Sequence, residues 1–557
     1  MSGLVEALEA STRVLPPKGT AVPARYALVL RPAQDPTAVT DEVRAAVRPL
    51  SGRVRPLSAL DPHVLVLELP RRILVGDQGA CFTAAYALSD AFGLEAAEPD
   101  LPTAFSPDGD PRPEVADPES AGNLLPWCFA PKAPPLDDRP LWALEAMHVP
   151  QAWDFSKVNQ RPSHGSGIVI AQPDTGITNH PELRGVSRAA GRDVLANRAD
   201  PTDPLDYIGN KGHGTSTGSV LISPEAPSMI GSAPAARHMA IRAIESVVRV
   251  RQVTVARAID WAVEHGAHVI TMSLGGLPSF ALGRAVRRAV ESDVIVLAAA
   301  GNCVESVVWP ARYDECIAVA GTNVEDKRWR GSSRGPSVDI SAPGENVICA
   351  VLPDEQPNGR PVGQGQGTSF AVALTAGVAG LWLAHHGRAN LVAEARVRGE
   401  TLQVMFRRLL RATARRPPGW DSFQMGAGIV DARALLEAAF DVGRDRETVD
   451  LADDSRDRTA RSVKSLVTET AGYPATLDEA VDWYRHGPEI AAVLLRRRAQ
   501  SLRRPATGDL EASETPLGPA PTPSRRLAAT AGRAELRDAL GLDPTPDSEI
   551  GLEGGRS

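Results

Sequence analysis

Residues Gly365 to Leu381 read GQGTSFAVALTAGVAGL and are the most informative part of the sequence about the fold. A serine beside glycines, followed by a long run of Ala, Val and Leu, predicts a tight turn that leads into a buried helix. Ser369 then lies at the helix N-terminus, where free peptide N–H groups and the helix dipole stabilise negative charge. A serine that only caps a core helix fits the stretch as well, so the stretch alone leaves its chemistry open.

Three further motifs supply the polar side chains that a reactive serine requires. The stretch 168–176, IVIAQPDTG, predicts a strand that delivers Asp174 to a cleft. His213 follows between two glycines, and the apolar strand 294–300 leads to Asn302. Each of these residues alone fits a turn or a loop. Their order along the chain, Asp, His and then Ser, is that of one kind of catalytic triad.

The chain resembles the subtilisin-like serine proteases, whose triad has this order. The resemblance covers Leu141 to Ala439. The other motifs that carry it are QAW at 151–153, SLGG at 273–276, IAV at 317–319, SSRGP at 332–336, APG at 342–344 and GAGIV at 426–430.

The resemblance implies a role for each of these residues. Ser369 attacks the peptide carbonyl, His213 acts as general base and then as general acid, and Asp174 orients the imidazole. The side-chain amide of Asn302 and the peptide N–H of Ser369 bind the oxyanion. An extended substrate pairs with the backbone as an added strand would. The implied substrate-binding residues are Ser273, Leu274, Gly275, Gly301 and Val308.

The chain departs from the family pattern at several positions. Phe370 and Ala373 replace the Met and Pro that usually follow the serine, and STGS at 216–219 replaces the usual His-Val-Ala-Gly. Because alanine favours helices, the helix is expected to remain. Val308 replaces a glycine at the base of the primary specificity pocket, and Cys303 occupies a rim position that is acidic in some relatives. These two residues predict a preference for a small or medium apolar residue before the scissile bond.

Residues 141–440 alternate between apolar strands and helical stretches. Such alternation predicts an α/β catalytic domain, subtilisin-like, with a mainly parallel sheet and helices on both faces. Right-handed crossovers then place Asp174 and Asn302 at the same carboxyl edge of the sheet. The predicted strands are 168–170, 238–243, 268–272, 294–299 and 316–320, and the predicted helices include 254–264 and 283–292.

Residues 23–100 have the strand–helix–strand–strand–helix–strand order of a small ferredoxin-like α+β domain. Placed before a subtilisin-like domain, it resembles the family's propeptide domain, which assists folding and inhibits by laying its C-terminal segment in the cleft. An unrelated regulatory domain of the same fold also fits, because fold does not fix function. Residues 1–22 are predicted to be disordered. The predicted strands are 26–30, 53–57, 63–69 and 94–98, and the predicted helices are 40–50 and 81–92.

The remaining segments connect or extend these domains. Residues 101–140 are rich in Pro, Asp and Gly and are predicted to be a linker. It is the expected place of processing, although permanent attachment of the N-terminal domain also fits. Residues 441–504 are predicted to be a charged helical extension. Its arginine runs at 496–498 and 503–504 suggest an anionic partner, but a solvated helix face fits the acidic chain better. Residues 505–557 are predicted to be mostly disordered, with a short helix at 525–540.

Composition excludes several classes of protein. The 557 residues carry a formal net charge of -8, which argues against a nucleic-acid binder. The longest apolar run, 370–384, is too short to span a membrane. The N-terminus lacks the basic and apolar regions of a signal peptide, so a cytoplasmic location is expected. The five cysteines do not form a disulfide framework, and reduced thiols are the simpler interpretation, although Cys303 and Cys316 are candidates for a pair.

No metal motif occurs in the sequence, neither His-Glu-x-x-His nor cysteines at zinc spacing. The family often binds calcium, but no loop is acidic enough to assign such a site, so no cofactor is predicted. Asp193, Asp200, Asp203 and Asp206 are predicted to be solvated loop acids.

The sequence therefore predicts a serine endopeptidase that acts on protein or peptide substrates, with its own N-terminal domain as an intramolecular inhibitor. Two alternatives remain. One is a cytoplasmic processing protease dedicated to a single peptide or partner protein. The other is a catalytically silent binding protein on the same fold, against which the intact set of Asp174, His213, Ser369 and Asn302 argues.

Overall fold

A computed structural model describes residues 2–14, 24–73, 78–101, 139–207, 210–225, 228–247, 250–353, 359–443, 455–471, 481–501, 523–524 and 526–527. These residues form an N-terminal domain, a central domain and a pair of C-terminal helices. The predicted linker at 101–140 and the predicted tail at 505–557 lie almost entirely outside the described residues, as do the side chains of 496–501.

The N-terminal domain contains the six predicted elements in the predicted order, and in addition α1, β1 and β5. They are α1 Ser2–Ala10, β1 Thr12–Val14, β2 Ala24–Val29, α2 Pro36–Ala46, β3 Arg53–Pro56, β4 Val64–Leu69, β5 Arg71–Ile73, α3 Gln78–Phe92 and β6 Ala96–Pro99. The antiparallel sheet has the order β3-β4-β2-β6. All six residues of β2 are buried. Tyr26 and Leu28 pack in the core of this domain, whereas Ala27 and Val29 pack in a cluster shared with the central domain. Both faces of the sheet are therefore covered.

The prediction of disorder for residues 1–22 is wrong for residues 2–14. Leu4 and Leu8, one helical turn apart, are buried in the core of the N-terminal domain. Strand β1 pairs antiparallel with β5, from Thr12 opposite Ile73 to Val14 opposite Arg71. This pairing is with a strand almost sixty residues away, so local sequence gave no sign of it.

The central domain contains the predicted parallel sheet. Its strands are β7 Val169–Asp174, β8 Arg192–Asp193, β9 Arg237–Arg242, β10 Val269–Met272, β11 Ile295–Ala299, β12 Ile317–Thr322 and β13 Ile340–Pro343. They pair in the order β13-β12-β11-β10-β7-β9-β8, and every neighbouring pair is parallel. A separate hairpin consists of β14 Val347–Ala350 and β15 Val362–Gly365.

Helices cover the sheet of the central domain. They are α4 Trp142–Ala146, α5 Val149–Val158, α6 His213–Ile222, α7 Gln252–Glu264, α8 Phe280–Glu291, α9 Thr368–His386, α10 Arg388–Val397, α11 Leu402–Ala412, α12 Ser422–Met425 and α13 Ala432–Glu437. Helix α9 packs against five strands of the sheet. It is long and apolar enough to cross a membrane, but it is buried throughout inside the protein. The stretch that begins at Gly365 thus forms the core helix that the sequence predicts.

Two long helices follow the central domain, α14 Ser455–Ala471 and α15 Trp483–Ser501. They pack against each other, and α14 also packs against α8. The predicted helical extension is therefore present, but its apolar residues are buried against the rest of the protein.

The prediction of reduced thiols is wrong for one cysteine. Cys303 is disulfide-bonded, whereas Cys81, Cys316 and Cys349 are buried and take part in no disulfide. Cys316 is therefore not its partner. Burial raises the pKa of the Cys316 thiol well above the ordinary value, which makes it unreactive.

Candidate active site

Asp174 and His213 lie side by side although 39 positions separate them in the sequence. Asp174 is the last residue of β7, and His213 is the first residue of α6. The distance from Nδ1 of His213 to Oδ1 of Asp174 is 2.8 Å. A Cβ at Gly214 would lie 2.1 Å from the carbonyl oxygen of Gly176, so only glycine lets the histidine segment come this close to the aspartate segment.

Several hydrogen bonds fix the Asp174 carboxylate and the loop beside it. The peptide N–H of Thr175 donates to Oδ1 of Asp174 at 2.7 Å. The Thr175 hydroxyl donates to Asp203 at 2.7 Å and accepts from the peptide N–H of Gly214 at 3.1 Å. Thr175 thus ties the aspartate segment to the histidine segment and holds the two catalytic candidates in register.

Two findings about the site differ from the sequence-based predictions. Thr175 was not among the predicted site residues, and the environment of two aspartates was predicted wrongly. The prediction of solvated loop acids is wrong for Asp193 and Asp203, which are both buried. Asp193 forms ion pairs with Arg198 and Arg242, and Asp203 accepts hydrogen bonds from the hydroxyl groups of Thr175 and Tyr207. The one feature of the sequence that points to Thr175 as a site residue is its position directly after Asp174. Asp200 and Asp206 are exposed, as predicted.

Ser369 is the second residue of α9, at the N-terminus where the sequence places it. Its side chain is 8 % exposed, so it is reachable but sheltered. Its hydroxyl donates to the carbonyl of Ser273 at 3.4 Å, and the Ser273 hydroxyl donates to the Ser369 carbonyl at 2.9 Å. No hydrogen bond joins Ser369 to His213 within the described part of the chain. Such bonds are often loose or absent until substrate binds.

Asn302 lies beside the turn that precedes Ser369. Its Oδ1 accepts from the peptide N–H of Thr368 at 3.0 Å and from the Thr368 hydroxyl at 2.7 Å, which leaves Nδ2 on the other side of the amide. Gly367 has a φ of +151°, which favours glycine. A Cβ at Gly367 would lie 3.4 Å from Nδ2 of Asn302 and 3.7 Å from the peptide nitrogen of Ser369. The two nitrogens therefore border the same space.

The peptide N–H of Ser369 has no partner within α9, because the first N–H groups of a helix lack one. Together with Nδ2 of Asn302 it offers two donors to a single acceptor at the positive end of a buried helix. This arrangement suits an oxyanion.

Val308 lies between two of the predicted substrate-binding residues. A Cβ at Gly275 would lie 2.4 Å from Cγ2 of Val308, and a Cβ at Gly301 would lie 3.0 Å from the same atom. The peptide N–H of Val308 donates to the carbonyl of Ala300 at 3.0 Å. The valine side chain, buried to 98 %, therefore fills the space between the segments that contain Gly275 and Gly301.

The candidate residues come together at the carboxyl edge of the sheet. Asp174 ends β7, Ser273 follows β10, and Asn302 lies three residues beyond β11. These three strands are neighbours in the sheet. Helix α6 begins with His213, and helix α9 begins one residue before Ser369. These two helices pack against each other. Within the described residues, no group of three or more His, Cys, Asp or Glu side chains lies close enough to hold a metal ion.

Comparison with known proteins gives consistent results. A profile of the Subtilase family matches residues 165–428. Thermitase from Thermoactinomyces vulgaris is 35 % identical over 249 residues, which cover 44 % of this chain and 82 % of thermitase. Subtilisin BL from Lederbergia lenta is 34 % identical over 244 residues, which cover 42 % of this chain and 84 % of that protein.

A third relative and a solved structure extend the comparison. A thermostable alkaline protease from Halalkalibacterium halodurans is 34 % identical over 237 residues, and the match spans 62 % of its length. The crystal structure of fervidolysin from Fervidobacterium pennivorans, a keratinolytic enzyme related to subtilisin, superposes with a TM-score of 0.53 at 23 % identity. The match covers 77 % of this chain and 64 % of that one. It shows that the fold is shared.

Proposed function

The chain belongs to the subtilase family of serine endopeptidases, and on this premise we propose that Asp174, His213 and Ser369 form its catalytic triad. Ser369 attacks the carbonyl carbon of a peptide bond while Nε2 of His213 takes the hydroxyl proton. His213 then gives that proton to the leaving amine, and water hydrolyses the acyl-enzyme by the same route. Asp174 keeps His213 in the tautomer that carries its proton on Nδ1, and it stabilises the imidazolium that forms when Nε2 takes the second proton.

The observation that carries this proposal is the buried bond between Asp174 and His213, the first residue of α6, a helix that packs against α9, where Ser369 lies at the N-terminus. Nδ2 of Asn302 and the peptide N–H of Ser369 would bind the oxyanion, since both border the space beside Gly367. Ser273, Leu274 and Gly275 would pair with an extended substrate.

A fluorophosphonate active-site titration tests the proposal and separates it from a silent binding protein. The wild-type chain should be labelled at one site and lose peptidase activity in proportion, whereas Ser369→Ala should remain unlabelled. Labelling of Ser369→Ala at the wild-type rate, or a folded wild-type chain that takes up no probe, would contradict the assignment. A dedicated processing protease would take up the probe but cleave few members of a peptide library.

The primary specificity of the enzyme is proposed to be for small or medium apolar residues such as Ala, Val or Leu. The contacts of Val308 with the Gly275 and Gly301 segments support this, because its β-branched side chain shortens the space between them. Cys303, next to Asn302, is engaged in a disulfide and provides no negative charge for a Lys or Arg side chain.

The N-terminal domain is proposed to be an intramolecular inhibitor. Its last strand brings Glu98 to the N-terminus of α8, where the carboxylate accepts from the Ser279 hydroxyl at 2.6 Å and from the peptide N–H groups of Phe280 and Ala281 at 2.9 and 3.2 Å. Asp100 accepts at 3.2 Å from the peptide N–H of Val253, in the first turn of α7. Two acids of one domain thus cap two helices of the other.

Further contacts fix the orientation of this domain. Asp61 forms a bidentate ion pair with Arg284 at 2.7 and 3.0 Å and also binds Arg288. Leu101, the first residue of the predicted linker, shares a small cavity with Leu277, just beyond the proposed substrate segment at 273–275. The chain therefore leaves the N-terminal domain beside the cleft, which supports the inhibitor role.

The location of the protein remains a prediction. Disulfides persist mainly in oxidising compartments. The disulfide at Cys303 therefore weighs against the expected cytoplasmic location.

A further inference from the structure

The C-terminal helices contribute to a core that they share with both other domains. Buried apolar residues of α14 and α15 belong to the same cluster as residues of α7 and α8 and of the N-terminal sheet. Ala492 of α15 even belongs to the core of the N-terminal domain itself. The C-terminal residues of the shared cluster are Ala460, Val463, Leu466, Val467, Val481, Trp483, Ile490, Ala491, Val493, Leu494, Leu495 and Leu527.

Helix α14 is fixed to the central domain by buried polar contacts. The side chain of Arg312 is completely buried and donates to Glu469 at 2.5 Å, and it also donates to the carbonyl of Val307 at 2.8 Å. A second buried ion pair joins Arg458 to Glu315. Because each arginine is removed from water, its partner on the other element is needed to compensate the charge.

Helix α15 is fixed to the N-terminal domain by a different set of contacts. Glu489, 1 % exposed, accepts a hydrogen bond from the hydroxyl of Tyr86 on α3 at 2.7 Å. The hydroxyl of Tyr484 donates to Glu95 at 2.9 Å. At the surface, Arg485 pairs with Asp90 at 2.5 Å.

A short piece of the tail completes this contact. The peptide N–H and the hydroxyl of Ser524 both donate to Glu489, at 2.5 and 2.9 Å. Arg526 pairs with Asp90 of the N-terminal domain, and Leu527 is fully buried. Burial raises the pKa of Glu489, and these hydrogen bonds act in the opposite direction. The glutamate thus joins three segments: α3, α15 and the tail.

We propose that α14, α15 and the residues Ser524, Arg526 and Leu527 form a clamp that holds the N-terminal domain on the central domain after the linker has been cut. Cleavage within residues 106–120 removes the covalent connection but none of these contacts. The binding surface of the clamp consists of Tyr86 and Asp90 on α3 and Glu95 in the connection between α3 and β6. The N-terminal domain is then a retained subunit, and activation requires the clamp to open.

The test uses the full chain with a recognition site for a second, sequence-specific protease placed within residues 106–120. Ser369→Ala in this chain prevents self-cleavage, and a denaturing gel confirms complete nicking. The released fragment carries a single cysteine, Cys81, which is not in a disulfide, so no S–S bond holds the fragment. The dissociation rate of the fragment is then measured by dilution and size-exclusion chromatography.

The nicked parent chain should migrate as one complex, and Glu489→Ala should increase the dissociation rate about ten- to a hundredfold, because hydrogen bonds to a charged buried group are lost. Tyr484→Phe, which keeps the ring and removes the bond to Glu95, should give a smaller increase. Glu325→Ala is the matched control at an exposed glutamate, far from the clamp in sequence, whose side chain pairs with Lys327. The thermal midpoint before nicking shows that each variant is folded.

A parent fragment that leaves as fast as the Glu489→Ala fragment, with both chains folded, would overturn the proposal. So would equal rates in Glu489→Ala, Tyr484→Phe and Glu325→Ala. The role of the clamp in regulation rests on the proposed inhibitor function of the N-terminal domain. That function is tested separately by measuring peptide hydrolysis with the nicked chain that keeps Ser369. If the fragment stays bound while this chain hydrolyses peptides freely, the inhibitor role fails and the clamp remains.

Discussion

Two buried carboxylates at strand ends, Asp174 in the central domain and Glu98 in the N-terminal domain, have different consequences. Asp174 binds the imidazole of His213, a group that can take and release a proton within a cleft. Glu98 binds the Ser279 hydroxyl and two peptide N–H groups of α8, which keep their protons. The chemistry of the partner therefore decides whether a buried acid serves turnover or domain docking.

The largest expected effect concerns the first of these regions. Ser369→Ala should lower kcat by about a millionfold. This figure is the loss of kcat measured in subtilisin itself when its nucleophile is removed. His213→Ala should have a similar effect, and the double variant should be scarcely worse, because triad members act as a unit. Steady-state kinetics on a peptide substrate measure this, with thermal unfolding as the control for folding. Near-wild-type turnover in pure Ser369→Ala would end the triad assignment.

Asn302→Ala should lower kcat about a hundred- to a thousandfold while KM changes little, because the amide donor is needed mainly in the transition state. The substitution also removes the acceptor for Thr368. Thr368→Val is therefore the control, since it removes the hydroxyl bond to Asn302 and keeps the Nδ2 group. If both variants lose activity equally, Asn302 acts through the loop rather than through the oxyanion.

Val308→Gly should move the optimum for the residue before the scissile bond from small aliphatic toward aromatic side chains. The change in kcat/KM ratios should be graded, about ten- to two-hundredfold, as expected for a pocket that differs by a few methyl groups. Peptide-library profiling of both chains measures it. Strongest cleavage after Phe, Tyr, Lys or Arg in the wild-type enzyme would refute the assignment of Val308.

The smallest expected effect concerns the second region and is a pH dependence of docking. Burial raises the pKa of Glu98 to about 7 in the docked state, from an ordinary value of 4.5. Docking therefore takes up a proton. The resulting contribution of Glu98 to the docking free energy is fully present below about pH 4.5 and is lost as the pH rises through 7. Binding of the N-terminal domain should tighten by up to about tenfold per pH unit between pH 7 and 5.

The nicked Ser369→Ala chain allows this binding to be measured without interference from the pH dependence of catalysis. Other acids of the interface titrate as well. Burial raises the pKa of Asp100 in the same direction, whereas the pKa of Asp61 is lowered, since its hydrogen bonds and ion pairs with Arg284 and Arg288 outweigh its burial. Glu98→Gln removes the titration of Glu98 and should therefore flatten the pH dependence of binding of the N-terminal domain. An unchanged slope in Glu98→Gln would exclude Glu98 as the titrating group.

Much of the fold could be predicted because its patterns are local. The apolar strands, the helix that starts at Thr368 and the order of elements in the N-terminal domain follow from periodicity and turn residues. The failures involve partners distant in sequence. Residues 2–14 were predicted to be disordered because β1 is stable only when paired with β5. Asp203 was predicted to be solvated because its partner Thr175 lies 28 positions away.

Sequence alone is enough to identify the family, the order of Asp174, His213 and Ser369, and the placement of Ser369 at a helix N-terminus. These features depend on residue type and spacing, which the chain carries in every conformation. Three other features depend on folding: Thr175 joins the aspartate and histidine segments, Glu98 and Asp100 cap α8 and α7, and Glu489 connects three segments. Burial removes these groups from water, so the donor or acceptor that folding brings within hydrogen-bond distance determines what each of them does.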